Sequence, residues 1–568
     1  MNFFLTLFIT LLFIESSYAQ QNCGCDYHVP DTWLVDGNTF GAGGGAIKPG
    51  ETICLDSSVD YKRMTWRNIV GTVADPIIIK NCGGQAYINS HRSITPNSVG
   101  NPNNVNHGWL FENSSFFKIK GDGDPQSQFG IKVSSPGGYY IKMSKFTTNF
   151  EISNVEVAGL YPGGTEPLSG FAGIGIKTAP LCDSSADRGT WEMRDIKVHH
   201  NYIHDVGAEG LYIGYGFYSG RLHGGNTCSL KMDYPHAIKG LRVFNNRIEN
   251  VGWDGIQVKN ADSDVEIYNN SIVNYGTKNN GNHNEGLLVG DGSEALIYNN
   301  WIENGSGNGI QINAFGNTKI FNNTVVNSGH DSLYLNNTSS NFSRKYDQAG
   351  NVIGEFDIYN NTFIGAGHNG ITMFTEQNKN LVNNIVGDYS NRGLYFNATL
   401  IHPVSFSNIF SLHLSALRFV ALQHDDYHLR HNSPATGAGS YIPLNIDFDN
   451  SLRIDGIYDI GAFEYDATVG GTNQASISII TPSSNIQVSA NNSVFIEVVS
   501  NDTSNRVQKV QYILNGTLIG TDHFPKKTEH WIGAQRLNQG QNYFYAIAVN
   551  YGGSIAAQSQ TIEIFKSL

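Results

Sequence analysis

The chain lacks net positive charge, and it lacks any long apolar run after its first two dozen residues. Lys and Arg number 36 against 49 Asp and Glu, giving a formal net charge of −13 and a pI near 5.7. A phosphate backbone is recognised by a basic footprint, so nucleic acid is not an expected partner. An acidic polysaccharide fits only where local Lys or Arg, or a bound cation, offsets the repulsion. Charged residues make up only 15% of the chain, while Gly numbers 63 and Asn is abundant. That composition suits many turns between short strands, not long helices or a disordered chain. No later segment is apolar enough to span a membrane.

The N-terminus is the one apolar exception. Phe3 to Ile14 is a run of signal-core length, and Ser17-Tyr18-Ala19 is a small-x-small cleavage site. The run is short of the ~20 residues that a membrane helix needs. Residues 1–19 are therefore expected to be a cleaved signal, and the mature protein a secreted or periplasmic monomer. Cysteine is scarce: Cys23, Cys25, Cys54, Cys82, Cys182 and Cys228. An even count in an exported chain predicts disulfides. Cys182 and Cys228 are the expected pair, because both lie in long insertions beside the same repeat. Cys54 and Cys82, about one repeat apart, are read instead as stacked core thiols. Cys23-x-Cys25 does not have zinc-knuckle spacing.

What the chain has is a repeated phrase. Asn245-Asn246 leads to Asp254-Gly255-Ile256-Gln257-Val258, and Asn269-Asn270 to Glu285-Gly286-Leu287-Leu288-Val289. His200-Asn201 leads likewise to Glu209-Gly210-Leu211-Tyr212-Ile213. The steps from Asn245 to Asn269, Asn299, Asn322, Asn360 and Asn383 are 24, 30, 23, 38 and 23 residues. Within each unit apolar residues alternate, which is strand periodicity. A helix-free unit of this length is one coil of a parallel β-helix. The Leu pattern of a leucine-rich horseshoe is missing. The Asn pairs are expected to form a ladder of stacked amides at a turn, where Asn tolerates left-handed backbone. Segment 424–465 is expected to close the distal end of the coil. From residue 477 the strands lengthen, and Asn515-Gly516 between two of them signals a tight hairpin. The expected division is 20–465 β-helix, 466–476 linker and 477–568 immunoglobulin-like β-sandwich, an all-β protein throughout.

The Asn-Asn rungs, together with Pro49-Gly50-Glu51-Thr52-Ile53-Cys54, Ile77-Ile78-Ile79-Lys80-Asn81-Cys82 and Asp459-Ile460-Gly461-Ala462-Phe463-Glu464-Tyr465, resemble secreted bacterial members of the pectin-lyase-like superfamily. The resemblance covers roughly residues 45–465. It implies a right-handed parallel β-helix, in a superfamily of polysaccharide lyases, glycoside hydrolases, esterases and non-enzymatic adhesins. The terminal sandwich resembles accessory modules of secreted bacterial carbohydrate enzymes.

Alternation places side chains. The residues before each Gly form one outward column: Glu209, Asp254, Glu285, Asn308, Asp331, Asn369 and Arg392, with Ser332 in place of the Gly after Asp331. A second holds Tyr212, Gln257, Leu288, Gln311, Tyr334, Thr372 and Tyr395, and a third holds Lys259. Glu209, Asp254 and Glu285 fall on consecutive rungs at the ~4.8 Å strand spacing. Their repulsion must be relieved by a cation, a raised pKa or splayed geometry, and Ca2+ is the hard-oxygen candidate. The bland alternative is that these acids only bond backbone amides. Insertions at 160–192, 215–237, 275–284 and 337–354 would wall a groove over the same rungs. Arg221 and His283 lie in these loops. Tyr212, Gln257, Gln311, Tyr334, Arg221 and His283 are the expected substrate contacts.

Three readings follow. In a lyase acting on a uronic-acid glycan, the resemblance implies a Lys base, here Lys259, although nearby acids would raise its pKa when a base needs it lowered. In a hydrolase, paired carboxylates from the same column act as acid and nucleophile or base, but the polygalacturonase-like run of Asp residues is not present. In a binder or adhesin the columns are plain ladders.

Overall fold

The computed structural model describes residues 23–89, 107–122, 129–135, 137–159, 170–223, 231–290, 292–314, 316–337, 354–397, 402–422, 425–449, 451–453, 458–465, 476–490, 492, 494–501, 507–522, 527–550 and 555–567. Three long parallel sheets of 13, 12 and 11 strands run the length of the first domain. One coil visits each sheet in turn: Ala237–Phe244 in the first, Arg247–Glu249 in the third and Ile256–Lys259 in the second, before Ala261–Tyr268 returns to the first.

Alternation decides which face is core. Leu211, Ile213, Ile256, Val258, Leu287, Val289, Ile310 and Ile312 all point inward and are fully buried. Each such side chain contributes about 1.5–3 kcal/mol, repeated rung after rung. The Asn pairs divide their labour. The first of each pair (Asn245, Asn269, Asn299, Asn322, Asn360, Asn383) takes positive φ, which turns the chain from the first sheet to the third. The second stacks: Asn246 Nδ2 donates to Asn270 Oδ1, Asn270 to Asn300, Asn300 to Asn323, Asn323 to Asn361 and Asn361 to Asn384, at 2.9–3.0 Å. The same Nδ2 groups also satisfy carbonyls of the preceding coil, such as Ile267 O for Asn300. The ladder thus closes a polar turn that would otherwise bury unpaired groups.

Two expectations change. Cys54 and Cys82 are not stacked thiols: they bond Cys25 and Cys23. These bridges pin the N-terminal lead to the first coils, which the repeat alone cannot cover. Cys182 is disulfide-bonded, and its expected partner Cys228 lies outside the described residues. Segment 424–465 lies along the flank of the coil. Asn322, Asn360 and Asn383 donate side-chain N–H groups to Ile446 O, Asp459 O and Ser440 O. Its Tyr427, Leu429, Ile460 and Phe463 pack with Trp301, Val326, Ile364 and Ile385 of the third sheet. Those residues leave an apolar stripe on the outer face, and a stripe must be covered.

After residue 475 a 3-stranded and a 6-stranded sheet pack around Val498, Val510, Tyr512 and Phe544. Asn515 and Gly516, both at positive φ, join Val507–Leu514 to Thr517–Asp522 as the hairpin the sequence predicts. Among the described residues no helix is long and apolar enough to cross a membrane.

Candidate active site

The second sheet carries the site. Its strands pair Gly175 with Tyr212, Tyr212 with Gln257, Gln257 with Leu288, Leu288 with Gln311 and Gln311 with Tyr334. The expected column is therefore one column in space. Glu209, Asp254 and Glu285 enter three adjacent strands from the preceding turn. A glycine follows each because the coils approach too closely for a Cβ. A Cβ on Gly255 would lie 2.4 Å from Ile272 Cγ2 and 2.5 Å from Gly286 O.

The acids are outward but covered: Glu209 is 1%, Asp254 0% and Glu285 4% exposed. Their first oxygens behave as the bland reading expects. Asp254 Oδ1 accepts from Glu285 N–H at 3.0 Å, and three rungs further along the column Asp331 Oδ1 accepts from Asn369 N–H at 2.8 Å. Their second oxygens do not. Glu209 Oε2 and Asp254 Oδ2 are buried without a hydrogen-bond partner. His283, delivered by the 275–284 insertion, stacks on Trp253 at 4.9 Å and brings Nδ1 to 3.6 Å from Asp254 Oδ2 and 3.8 Å from Glu209 Oε1. A backbone ladder leaves no such convergent, unpaired atoms.

Burial sets the protonation. It pushes the Asp254 carboxyl up to about 7, reinforced by the Glu209 charge, against the lowering contact with Glu285. It pushes Glu285 up to about 8, with the Asp254 charge and contact adding to the rise. The two carboxyls are neighbours, so the charge of either disfavours ionisation of the other. Glu209 is also raised by burial, and the imidazole of His283 is lowered by it.

Lys177 is the residue the sequence reading missed. It follows Ile174–Ile176, whose Gly175 pairs with Tyr212, so it heads the same column as Lys259, two strands away. It is 6% exposed. Its Nζ lies 3.2 Å from the centroid of the Tyr212 ring, 4.6 Å from that of Tyr215 and 5.6 Å from that of Tyr139. Burial lowers its pKa to about 7, against the pull of Glu209 and with help from the Lys142, Lys259 and Arg221 charges. The signal was present in Gly173-Ile174-Gly175-Ile176-Lys177, an early rung of the same motif. Only its register shows which later residues it joins.

The other expected residues divide by place. Gln257 is fully buried, and neither amide atom has a hydrogen-bond partner. Lys259 is half-buried, and its stem runs beside Gly216, where a Cβ would meet Nζ at 2.8 Å. Tyr212 is half-buried and meets Phe171 edge-on at 6.2 Å. Phe171 in turn touches Tyr139 and Trp253, at 5.1 and 5.5 Å, and completes an aromatic rim. Gln311 and Tyr334 lie farther along the column. Gln311 accepts from Asn308 Nδ2, and Tyr334 OH from Asn336 Nδ2 at 3.2 Å. Arg221 is exposed on a hairpin with Lys231–Asp233, its guanidinium 4.1 Å from the Phe217 ring centre.

For a cation, the donors that come within 4.8 Å of one another are Glu209, Asp254 and His283. Glu285, the expected third ligand, is set against Asp254 instead. An imidazole nitrogen is not a calcium donor, so a calcium ion here would draw on the carboxylate oxygens alone.

The family described as "Right handed beta helix region" matches residues 236–408, and "Bacterial Ig domain" matches residues 476–546. The chain is a right-handed parallel β-helix with a C-terminal immunoglobulin-like module. No curated protein matches it. Among solved structures, a mutant of the periplasmic alginate epimerase AlgG is similar at 12% identity and a TM-score of 0.35, over 67% of this chain and 84% of that one. The complex of XylC with xylose is similar at 12% identity and 0.32, over 77% and 98%. Fibronectin(III)-like modules of Clostridium thermocellum CbhA match at 18% identity and 0.15, over 16% of this chain and 47% of that one, so this chain spans about half of the CbhA structure.

Proposed function

We propose that the protein is an exported polysaccharide lyase that cleaves a uronic-acid-containing glycan by β-elimination. The observation that carries this reading is Lys177: a buried amine of lowered basicity, stacked on Tyr212 and interacting with Glu209, on the sheet that also carries Asp254 and Glu285, whose carboxyls burial pushes up to about 7 and about 8. It meets the objection to Lys259, since burial and neighbouring cations make an amine a base at working pH. In this reading neutral Lys177 Nζ takes the proton from the carbon next to the uronate carboxylate. The C–H electrons form the ring double bond, the C–O bond to the next sugar breaks, and a proton held by the Asp254–Glu285 pair goes to the leaving oxygen. Lys259 and the unpaired Gln257 amide face the carboxylate, whose charge grows in the transition state. The half-buried rim of Tyr139, Phe171, Tyr212 and Trp253 offers apolar faces to the sugar rings.

Calcium at Glu209, Asp254 and Glu285 is the second way to relieve the same repulsion, with the ion in place of that proton. Relief by protonation predicts that a chelator leaves activity unchanged at pH 7, and loss of activity on chelation would assign the role to the ion. A glycoside hydrolase needs one carboxylate ionised as nucleophile or base, and here all three are raised.

The test is incubation with a panel of uronic-acid polysaccharides, following the ultraviolet absorbance of the unsaturated product. New reducing ends without that absorbance would replace the lyase by a hydrolase. Retained binding without cleavage would make the groove an adhesin surface.

A further inference from the structure

We propose that His330, Asp331 and His368 form a second, separate site that binds a divalent first-row transition-metal ion, with Zn2+ as the probe. The repeat builds it. His368 N–H donates to His330 O, and Asn391 N–H to His368 O, so His330 and His368 hold one position on adjacent coils. Their rings lie 4.7 Å apart, tilted by 33°. Both Nδ1 atoms lie near one carboxylate oxygen: His368 Nδ1 is 2.9 Å and His330 Nδ1 3.5 Å from Asp331 Oδ1, while Asn308 Oδ1 stands 3.1 Å from His330 Nδ1 and Asn369 Nδ2 3.1 Å from His368 Nδ1, so an ion would take the place of these amide contacts. One ligand atom from each residue falls within 4.8 Å of the others.

Two features separate this arrangement from a hydrogen-bonded surface pair. Asp331 is 1% exposed, and its Oδ2 is buried with no hydrogen-bond partner. Its Oδ1 is held by Asn369 N–H and His368 Nδ1, so Oδ2 is a buried oxygen that a cation would satisfy. The two histidine side chains are 53% and 43% exposed, so an ion can reach them from solvent. Two imidazoles and one carboxylate, with further positions left to water, are a donor set for zinc, cobalt or nickel and not for calcium or magnesium. Asp331 lies two rungs beyond Glu285 in the same column, about 10 Å along it at the strand spacing. The site therefore shares no ligand with the Glu209, Asp254 and His283 cluster, and the inference does not rest on the lyase reading.

The experiment uses the full chain, stripped by a chelator and dialysed. Zn2+ is titrated by calorimetry, and Co2+ binding is followed by its visible spectrum. The expected result is a Zn2+ site weakened by more than about 100-fold in His330→Ala and in His368→Ala, beyond what an outer-shell partner is worth. Asp331→Asn keeps an oxygen for Asn369 N–H and should also weaken the site. His283→Gln should leave it unchanged. Thermal midpoints and circular dichroism establish that each variant is folded. No saturable Zn2+ binding to the wild-type chain would overturn the proposal. So would Zn2+ binding whose stoichiometry and affinity are unchanged by the paired His330→Ala and His368→Ala replacement, or that disappears entirely in His283→Gln.

Discussion

Lys177 Nζ sits 3.2 Å from the centre of the Tyr212 ring, on the coil before the one that carries Glu209 into the site. The contact holds an amine in a place where burial opposes its charge.

Lys177→Ala is therefore expected to lower kcat by roughly 10²–10⁴-fold, the range of general acid–base catalysis, with little change in thermal midpoint. Lys259→Ala is expected to act mainly on KM. Steady-state kinetics on the glycan that the panel identifies separates the two, and equal kcat losses would remove the distinction.

The pH profile follows from the same groups. The base works when Lys177 is neutral, so activity rises through about pH 7. The acid works while the Asp254–Glu285 pair holds its proton, so activity falls above about pH 8. A bell of kcat/KM centred between these values is expected, and Glu285→Gln should remove its alkaline limb. A profile flat from pH 6 to 9 would exclude both assignments.

Stability has its own pH signature. Asp254 and Glu285 have folded-state pKa values raised from 3.8 to about 7 and from 4.5 to about 8. The folded state binds more protons in that interval, so their contribution is present below about pH 4 and is lost as pH rises towards 8. Lys177, lowered from 10.5 to about 7, acts in the window above pH 7 and in the opposite direction. Between pH 4.5 and 7 the carboxyls dominate. Asp254→Asn, which keeps an oxygen for Glu285 N–H, should flatten the fall in thermal midpoint across that range. An unchanged slope would show that the carboxyls are relieved in another way.

The Asn ladder should reveal its division of labour. Asn300 accepts from Asn270 N–H and Nδ2 and donates to Asn323 Oδ1 and Ile267 O, all buried. Asn300→Ala should cost roughly 2–5 kcal/mol, since each buried partner left unsatisfied costs ~1–3 kcal/mol. Asn299→Gly, at φ 53°, should cost less than about 1 kcal/mol, because glycine takes left-handed backbone freely. Urea unfolding of the two variants measures the difference.

Gly255→Ala should destabilise by about 1–3 kcal/mol through overpacking against Ile272 Cγ2 and Gly286 O. It should also lower activity, because the strain falls on the residue next to Asp254. Gly290→Ala, whose Cβ would meet the Lys259 stem at ordinary contact distances of 3.4–3.8 Å, is the matched control for stability.

Much of the scaffold was legible because a coil repeats its own physics. Ile256 and Val258 alternate as a strand must, and Asn246 recurs wherever the same turn has to be closed. The disulfides of Cys54 and Cys82 were not legible, because their partners lie in an irregular lead with no period. The flanking course of segment 424–465 was hidden for a similar reason: its contacts with Asn322, Asn360 and Asn383 span distances along the chain that no local pattern encodes.

The sequence by itself determined the all-β repeat, the turn positions and the column of Glu209, Asp254 and Glu285, because strand alternation and period depend on neighbours a few residues away. Only the tertiary structure decided that the column is buried, that His283 from an insertion replaces Glu285 in the cation-sized cluster, and that Lys177 stands against Tyr212. Burial, proton affinity and the meeting of distant side chains depend on how coils stack and which loops cover them, and these are properties of the assembled fold.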